Sequence, residues 1–267
     1  MGSPLSLQYL GKILYGGHLV GISGVDHLWF LPCFFLSVII FNLLYTWLKQ
    51  KHWIFLLLAI VICALISSYL NYNNAIVINI GEKTFHLTGY AEVSKTDFYI
   101  GFPYFFNAAL TGVVLMYIGY VLRFIYDKYD ILFNKLRSIV IGIISLALGT
   151  ICFVINSNFL DNDFPFHLVT PSYAIYGNYL LFLFTSTFLT LFVISVATII
   201  DNKYMAKYGR ETMTVYALHP FLLGIIGNLG LPSIKGLVPS LLALLLSCLF
   251  IPLIKKIDPV LLGQKIK

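Results

Sequence analysis

Seven long apolar segments run along the chain, and each is separated from the next by a stretch that contains charged or polar residues. A helix that crosses a bilayer needs about 20 mostly apolar residues. The pattern therefore predicts an all-α fold, a polytopic bundle of about seven transmembrane helices that forms one membrane domain over residues 1–267. The predicted spans lie near residues 28–48, 53–70, 102–125, 136–155, 177–200, 212–230 and 237–254.

The longest loop between predicted spans covers residues 71–100. Two stretches of β-forming residues, 75–80 and 84–88, flank a turn that starts at Gly81, and this order predicts a β-hairpin. A second loop, 156–176, combines aromatic residues with acids and a histidine. Such residues suit stacking on sugar rings, and they equally suit the aromatic belt of a membrane interface.

Composition narrows the class of protein. The chain is 59% hydrophobic and only 10% charged, whereas a soluble domain carries about 25% charged residues. A soluble globular protein is therefore excluded. The four cysteines fall inside predicted spans without Cys-x-x-Cys spacing, which favours small buried apolar residues over a disulfide or a metal site. They are Cys33, Cys63, Cys152 and Cys248.

Basic residues predict the orientation. If seven helices alternate, 13 of the 17 lysines and arginines fall on one side of the membrane. Positive charge stays in the cytoplasm, so the carboxyl terminus is predicted to be cytoplasmic and the amino terminus outside. The net charge of +6 then reflects topology and contact with anionic membrane lipid, not binding to nucleic acid.

An outside amino terminus needs a route across the membrane. Residues 1–26 contain no apolar run long enough for a signal peptide and instead suggest a short interfacial segment. One or three preceding helices would deliver this end naturally. We therefore expect the chain to be a truncated form of a longer protein.

Few ionisable groups lie within the predicted spans, and a polar group in hydrocarbon is a functional candidate by default. His219 lies roughly 10 Å inside the sixth span, counted from Thr212, and it shares a helix face with Tyr216. A histidine there suits a general base or a hydrogen bond to a carbonyl group. A packing role, with a hydrogen bond to a neighbouring helix, explains it equally well.

The first span opens on Asp26, His27 and Trp29. Adjacent residues of a helix point about 100° apart, so we expect Asp26 to cap the helix rather than to pair with His27. Trp29 suits the aromatic belt. Asn107, in the third span, suits a hydrogen bond between helices or contact with a substrate.

Several motifs are missing from the sequence: Gly-x-Gly-x-x-Gly, a phosphate-binding loop, His-Glu-x-x-His and Gly-x-Ser-x-Gly. The last predicted span holds no lysine, which excludes a retinal Schiff base there. Three other elements do match a known pattern, in order and spacing. They are His27–Pro32 with Phe34–Leu36, then Pro103 with Asn107–Leu110 and Tyr117–Tyr120, then Gly209–His219.

These three elements resemble those of the membrane acyltransferase 3 family. The resemblance implies an enzyme that transfers an acyl group, usually acetyl from acetyl-CoA, to sugars of surface polysaccharide in the bacterial inner membrane. Such proteins typically have about ten spans with both ends in the cytoplasm, so three spans would precede the tryptophan element.

One feature of the family has no counterpart here. An arginine followed about ten residues later by a histidine marks the family's first span, and the region before Asp26 contains no arginine. The resemblance implies that His219 and Tyr216 line the acyl or acceptor path. It also implies that His27 and Trp29 shape the outer mouth.

Arg123 and Arg210, at predicted cytoplasmic helix ends, suit the phosphates of CoA. Positive-inside placement explains both arginines equally well.

The resemblance thus implies a membrane O-acyltransferase that uses acetyl-CoA as acyl donor, needs no metal and acts on a sugar or polysaccharide hydroxyl. Without the Arg/His pair, we expect this chain alone to be inactive or badly impaired. The alternative is a non-catalytic membrane component of a polysaccharide export or flipping system. A small-molecule transporter ranks last, because neither an inverted repeat nor paired broken helices are visible.

Overall fold

The chain is mostly helical with little sheet, as its computed structural model shows. The structure describes residues 30–48, 52–70, 76–87, 97–99, 101–129, 135–160, 175–200, 222, 226 and 241–250. These residues belong to two compact units. The first unit holds the described residues from 30 to 200, and the second holds those from 222 to 250. The prediction of one domain over residues 1–267 stays a prediction.

Six α-helices have described bounds, and five of them belong to the first unit. They are α1 (Phe30–Leu48), α2 (Trp53–Tyr69), α3 (Phe106–Tyr129), α4 (Lys135–Ser157), α5 (Tyr179–Ile200) and, in the second unit, α6 (Leu241–Phe250). By length and composition, α1, α3, α4 and α5 are able to cross a membrane, whereas α2 and α6 are shorter apolar helices.

Five predicted spans therefore coincide with α1 to α5, and α6 lies within the seventh. The sixth predicted span, 212–230, lies outside the described residues except for Leu222 and Ile226. The number of seven spans and the orientation stay predictions.

Helix α3 extends further than its predicted span, which ends at residue 125. It continues to Tyr129, so its last turns carry Arg123, Asp127 and Lys128. Arg123 Nε lies 3.6 Å from Asp127 Oδ2, one helical turn later, and Lys128 complements the negative end of the helix dipole. Charged residues thus extend the helix beyond the apolar stretch, which an apolar-span criterion does not detect.

A small sheet occupies the loop between α2 and α3. Strand β1 (Val77–Ile80) pairs antiparallel with β2 (Lys83–His86) across a turn at Gly81, which confirms the predicted hairpin. Strand β3 (Asp97–Tyr99) pairs parallel with β2 and was not predicted. A strand of three residues is too short to show an alternating pattern.

The first three helices pack around a shared apolar core. It consists of Leu56, Ile60 and Cys63 from α2 and Leu110, Val113 and Val114 from α3, with side chains of α1 packed against it. Cys63 thus serves as a small buried apolar residue, as the sequence predicted, and Cys33 is buried as well. Cys152 and Cys248 are half-buried.

Small residues bring α4 and α5 close together. The buried face of α4 carries Ser138, Gly142, Ser145 and Gly149. A Cβ on Gly149 would lie 2.9 Å from Leu189 Cδ2, so the two backbones approach more closely than larger residues would allow. This is a common way for helices to pack inside a membrane.

Candidate functional site

Polar side chains meet at the end of the first unit where α3 and α5 begin and α2 ends. Ser67 comes from the last turn of α2, and Asn107 and Thr111 come from the first turns of α3. Tyr176 lies in the turn before α5, and Tyr179 is the first residue of α5. We call these five residues the polar cluster. All of them are buried, so their hydrogen bonds decide whether the cluster is stable by itself.

A directed row of hydroxyl groups links three helices in the polar cluster. The Tyr179 hydroxyl donates to Thr111 Oγ1 at 3.4 Å, and Thr111 Oγ1 lies 2.5 Å from Ser67 Oγ. Ser67 Oγ donates to the carbonyl of Asn107 at 3.1 Å, so Thr111 is the donor to Ser67. Each hydroxyl in the row therefore donates once.

Two polar atoms of the cluster have no partner in the described part of the chain. They are Asn107 Nδ2 and the hydroxyl of Tyr176, in side chains that are 2% and 0% exposed. Leaving a buried polar group unsatisfied costs about 1–3 kcal/mol. Burial raises the pKa of the Tyr176 phenol above its usual value, and the nearby hydroxyls of Thr111 and Ser67 lower it in part. The phenol is thus protonated and able to donate.

Asn156, near the end of α4, holds Tyr176 in place. Its Nδ2 donates to the carbonyl of Tyr176 at 2.8 Å, and its Oδ1 accepts from the backbone N–H of Asn178 at 2.7 Å. Asn178 then caps α5, since its Oδ1 accepts from the N–H groups of Leu180 and Leu181 at 3.1 and 3.2 Å. One side chain of α4 therefore sets the conformation of the turn that carries Tyr176.

The entry into α3 has an unusual backbone. Tyr104 and Phe105 have φ angles of 52° and 56°, and they follow Gly101 at 65°. Non-glycine residues in this left-handed region are strained by about 1–3 kcal/mol each and often occur at functional sites. Phe105 is buried against Cys33, Ala108 and Ala109, and this packing holds the strained turn in place just before Asn107.

We expect Ser67→Ala to destabilise the bundle, because it removes the hydroxyl that joins α2 to α3. Hydrogen bonds between membrane helices contribute about 0.6 kcal/mol on average and up to about 1.7 kcal/mol. The loss should lie at the upper end of that range, since Thr111 also loses its acceptor. Unfolding of the detergent-solubilised protein with increasing SDS measures the change in the free energy of unfolding. Ser68→Ala, at a half-buried neighbouring position, is the matched control, and equal stability of the two variants would contradict the expectation.

A groove opens between α1 and α3, away from the polar cluster. Its volume is about 390 Å³, near the lower end of the 300–1,000 Å³ of small-molecule sites. The ring of Tyr120 is held by an edge-on contact with Tyr45, with centroids 5.3 Å apart. The groove thus has mostly apolar walls, together with the polar Asn42 and the cation Arg123. It is lined by Val38, Phe41, Asn42, Met116, Gly119, Tyr120 and Arg123.

Two of the residues predicted from the sequence as site residues are described, and both lie on α3. Asn107 belongs to the polar cluster and Arg123 to the groove. They are sixteen residues apart, which is about 24 Å along a helix. The other five lie outside the described residues: His27, Trp29, Arg210, Tyr216 and His219. Among the described residues, no group of three His, Cys, Asp or Glu side chains could hold a metal ion.

Sequence reasoning missed four members of the polar cluster: Ser67, Thr111, Tyr176 and Tyr179. Serine, threonine and tyrosine are common in membrane helices, so none of them alone is a strong signal. A usable signal was nevertheless present. Alternating spans place the end of the second, the start of the third and the start of the fifth at one end of a bundle, and each of these helix ends carries a hydroxyl group.

Comparisons with known proteins give the family. The sequence profile of an acyltransferase domain, that of the acyltransferase 3 family, matches residues 3–255. No curated protein and no solved structure matches the chain. The profile match and the four long apolar helices together mark a membrane protein. Since the match covers nearly the whole chain and agrees with the resemblance of its three sequence elements, the chain belongs to the acyltransferase 3 family.

Proposed function

We propose that the chain is a membrane O-acyltransferase that transfers an acyl group from acyl-CoA to a hydroxyl of a cell-surface sugar or polysaccharide. The acyl group that we propose is acetyl. It would act as a multi-pass protein of a bacterial inner membrane. The family match supports the reaction class. A transfer of this kind needs one site for the donor and one for the acceptor. The observation that supports it is the pair of polar sites on α3, one towards each end of the helix.

The two ends of α3 differ in charge, which suits two different substrates. Towards the carboxyl end of α3, the groove includes Arg123. At the amino end of α3, the polar cluster consists of neutral groups. A separation of about 24 Å along the helix approaches the thickness of about 30 Å of a bilayer's hydrocarbon core. An anionic donor and a neutral acceptor would therefore approach from opposite faces of the membrane.

Arg123 is the residue of the groove that suits CoA. Its side chain is 83% exposed, and it contacts Asp127 at 3.6 Å. An exposed pair of this kind contributes only about 0–1 kcal/mol, so the guanidinium can exchange its carboxylate partner for a phosphate, which it binds with two parallel hydrogen bonds. When bound, acetyl-CoA would supply the activated thioester.

The reaction itself requires a base and a stabilised oxyanion. A base removes the proton of the sugar hydroxyl, the hydroxyl oxygen attacks the thioester carbonyl, and the carbon–sulfur bond breaks as the CoA thiolate leaves. Buried hydrogen-bond donors stabilise the charge on the carbonyl oxygen during this attack. His219, Tyr216 and His27 stay the sequence-based candidates for the proton transfer, with Trp29 and Asn107 for the substrate and Arg210 beside Arg123 for CoA.

Binding and turnover of acetyl-CoA test this function. Purified protein in lipid nanodiscs is heated with and without acetyl-CoA, and free thiol is measured in the presence of a polysaccharide acceptor. We expect thermal stabilisation by acetyl-CoA and a release of CoA that depends on the acceptor. Absence of both would refute the proposal. Glycan binding without thioester consumption would instead support the non-catalytic export component.

We expect Arg123→Gln to weaken the stabilisation by acetyl-CoA. The change removes a charged hydrogen bond worth about 1.5–3 kcal/mol, so the apparent dissociation constant should rise by a factor of at least about ten. Arg137→Gln is the matched control, because Arg137 is also an exposed arginine near a helix end, on α4, and does not line the groove. An equal effect of both variants would show only a general loss of positive charge.

A further inference from the structure

Two of the five buried side-chain atoms that lack a hydrogen-bond partner among the described residues belong to the polar cluster. Ser67, Thr111 and Tyr179 satisfy one another, but Asn107 Nδ2 and the Tyr176 hydroxyl have no partner among the described residues. Both side chains are at least nine-tenths buried. These two groups leave hydrogen-bonding capacity in the cluster for an additional oxygen atom.

The chemistry of the cluster defines that oxygen. The amide nitrogen of Asn107 only donates, so its partner must be an acceptor, whereas the hydroxyl of Tyr176 donates or accepts. No member of the cluster is charged, and Arg123 lies about 24 Å further along α3. An anionic group such as a phosphate would therefore be buried without a counter-charge, which is costly. An oxygen atom bound by these two groups would therefore be neutral: that of a hydroxyl group or of a water molecule.

We propose that the polar cluster is the acceptor subsite, in which one sugar hydroxyl accepts a hydrogen bond from Asn107 Nδ2 and pairs with the Tyr176 hydroxyl. This inference rests on the proposed function for the identity of the sugar as acceptor. Asn156 has a positioning role, because it fixes the turn that carries Tyr176. The hydroxyl row fixes Asn107 through its carbonyl.

Sugar binding without any acyl donor tests the subsite. The protein in nanodiscs is heated with methyl α-glucoside, methyl α-mannoside or methyl α-galactoside, and with tetrahydropyran as a ring that lacks hydroxyls. At least one glycoside, but not tetrahydropyran, should raise the melting temperature. If no glycoside does so, the proposal fails and the oxygen is a structural water.

Tyr176→Phe separates the sugar from water. The variant should fold with a melting temperature equal to or above that of the parent chain, since it removes an unsatisfied buried group, and it should bind the glycoside about tenfold more weakly. Tyr117→Phe, a half-buried tyrosine of α3 outside the cluster, should bind it normally. Asn107→Leu, of similar shape, should also lose binding. Unchanged binding in Tyr176→Phe, or a lower melting temperature without sugar, would overturn the proposal in favour of water.

These outcomes are independent of acyl transfer. If acetyl-CoA is not consumed but glycoside binding depends on Tyr176, the subsite stands and the proposed enzymatic function fails. If CoA is released with a polysaccharide acceptor while Tyr176→Phe leaves glycoside binding unchanged, the function stands and the acceptor lies elsewhere.

Discussion

Replacement of Gly112 by alanine should loosen the contact between α1 and α3 and lower the free energy of unfolding by about 1–3 kcal/mol, the usual range for overpacking. A Cβ at this position would collide with Ser37 Oγ and lie 3.0 Å from Ser37 Cβ. Ser37 has little room to move. Its Oγ lies 2.8 Å from the carbonyl of Cys33 and 2.9 Å from that of Ala109, and its side chain is 1% exposed.

Several effects of the Gly112 change oppose one another. Alanine favours a helix over glycine by about 0.8–1.0 kcal/mol, which offsets part of the clash. If Ser37 turns away to make room, the hydrogen bond to Ala109 is lost, which costs about 0.5–1.5 kcal/mol. The clash should win, because the buried Ser37 hydroxyl shares its one proton between two carbonyl oxygens and the Ser37 Cβ, which also lies close, cannot rotate away. Valine at this position should be worse.

Gly119→Ala is the matched control for Gly112→Ala. It lies on the same helix, two turns further on, and a Cβ there meets nothing within 4 Å. We expect it to leave stability unchanged or slightly raised. Unfolding in SDS, followed by circular dichroism, compares the two variants with the parent chain. Equal stability of the two alanine variants would show that the crossing of α1 and α3 is not limited by Gly112.

The helices could be predicted because they depend on a local property of the sequence. Runs of apolar residues locate α1 to α5 to within a few residues, since a bilayer demands such runs. The end of α3 was missed because Arg123, Asp127 and Lys128 continue the helix through charge pairing and dipole interactions and not through apolarity. The turn residues at Gly81 were sufficient to predict the hairpin, but they gave no indication of the third strand.

The candidate site was harder to predict because it depends on which helix ends meet. Asn107 was noticed as a polar residue in an apolar stretch. Tyr176 was not, because it lies in a loop rich in aromatic residues, where the interfacial belt explains a tyrosine well. Its importance follows from burial, from the missing partner of its hydroxyl and from the contact with Asn156. None of these is a property of the sequence near Tyr176.

Replacement of Gly177 by alanine should have an even larger effect, about 2–4 kcal/mol from backbone strain and lost hydrogen bonds together. Gly177 has a φ of +67°, and a Cβ there would lie 2.7 Å from Asn156 Oδ1. That oxygen accepts from the N–H of Asn178, and the same amide donates to Tyr176. Alanine therefore strains the backbone and displaces Asn156 from both ends of the turn.

Gly81→Ala separates these two effects. Gly81 has nearly the same φ, +63°, but a Cβ there meets nothing within 4 Å, so this variant reports the backbone strain alone, about 1–2 kcal/mol. The excess loss in Gly177→Ala then measures the contact with Asn156. Asn156→Ala supplies a further check: combined with Gly177→Ala it should be less damaging than the sum of the two single changes, since both break the same hydrogen bonds. Additive losses would mean that Asn156 does not hold the turn, and the position of Tyr176 in the polar cluster would need another support.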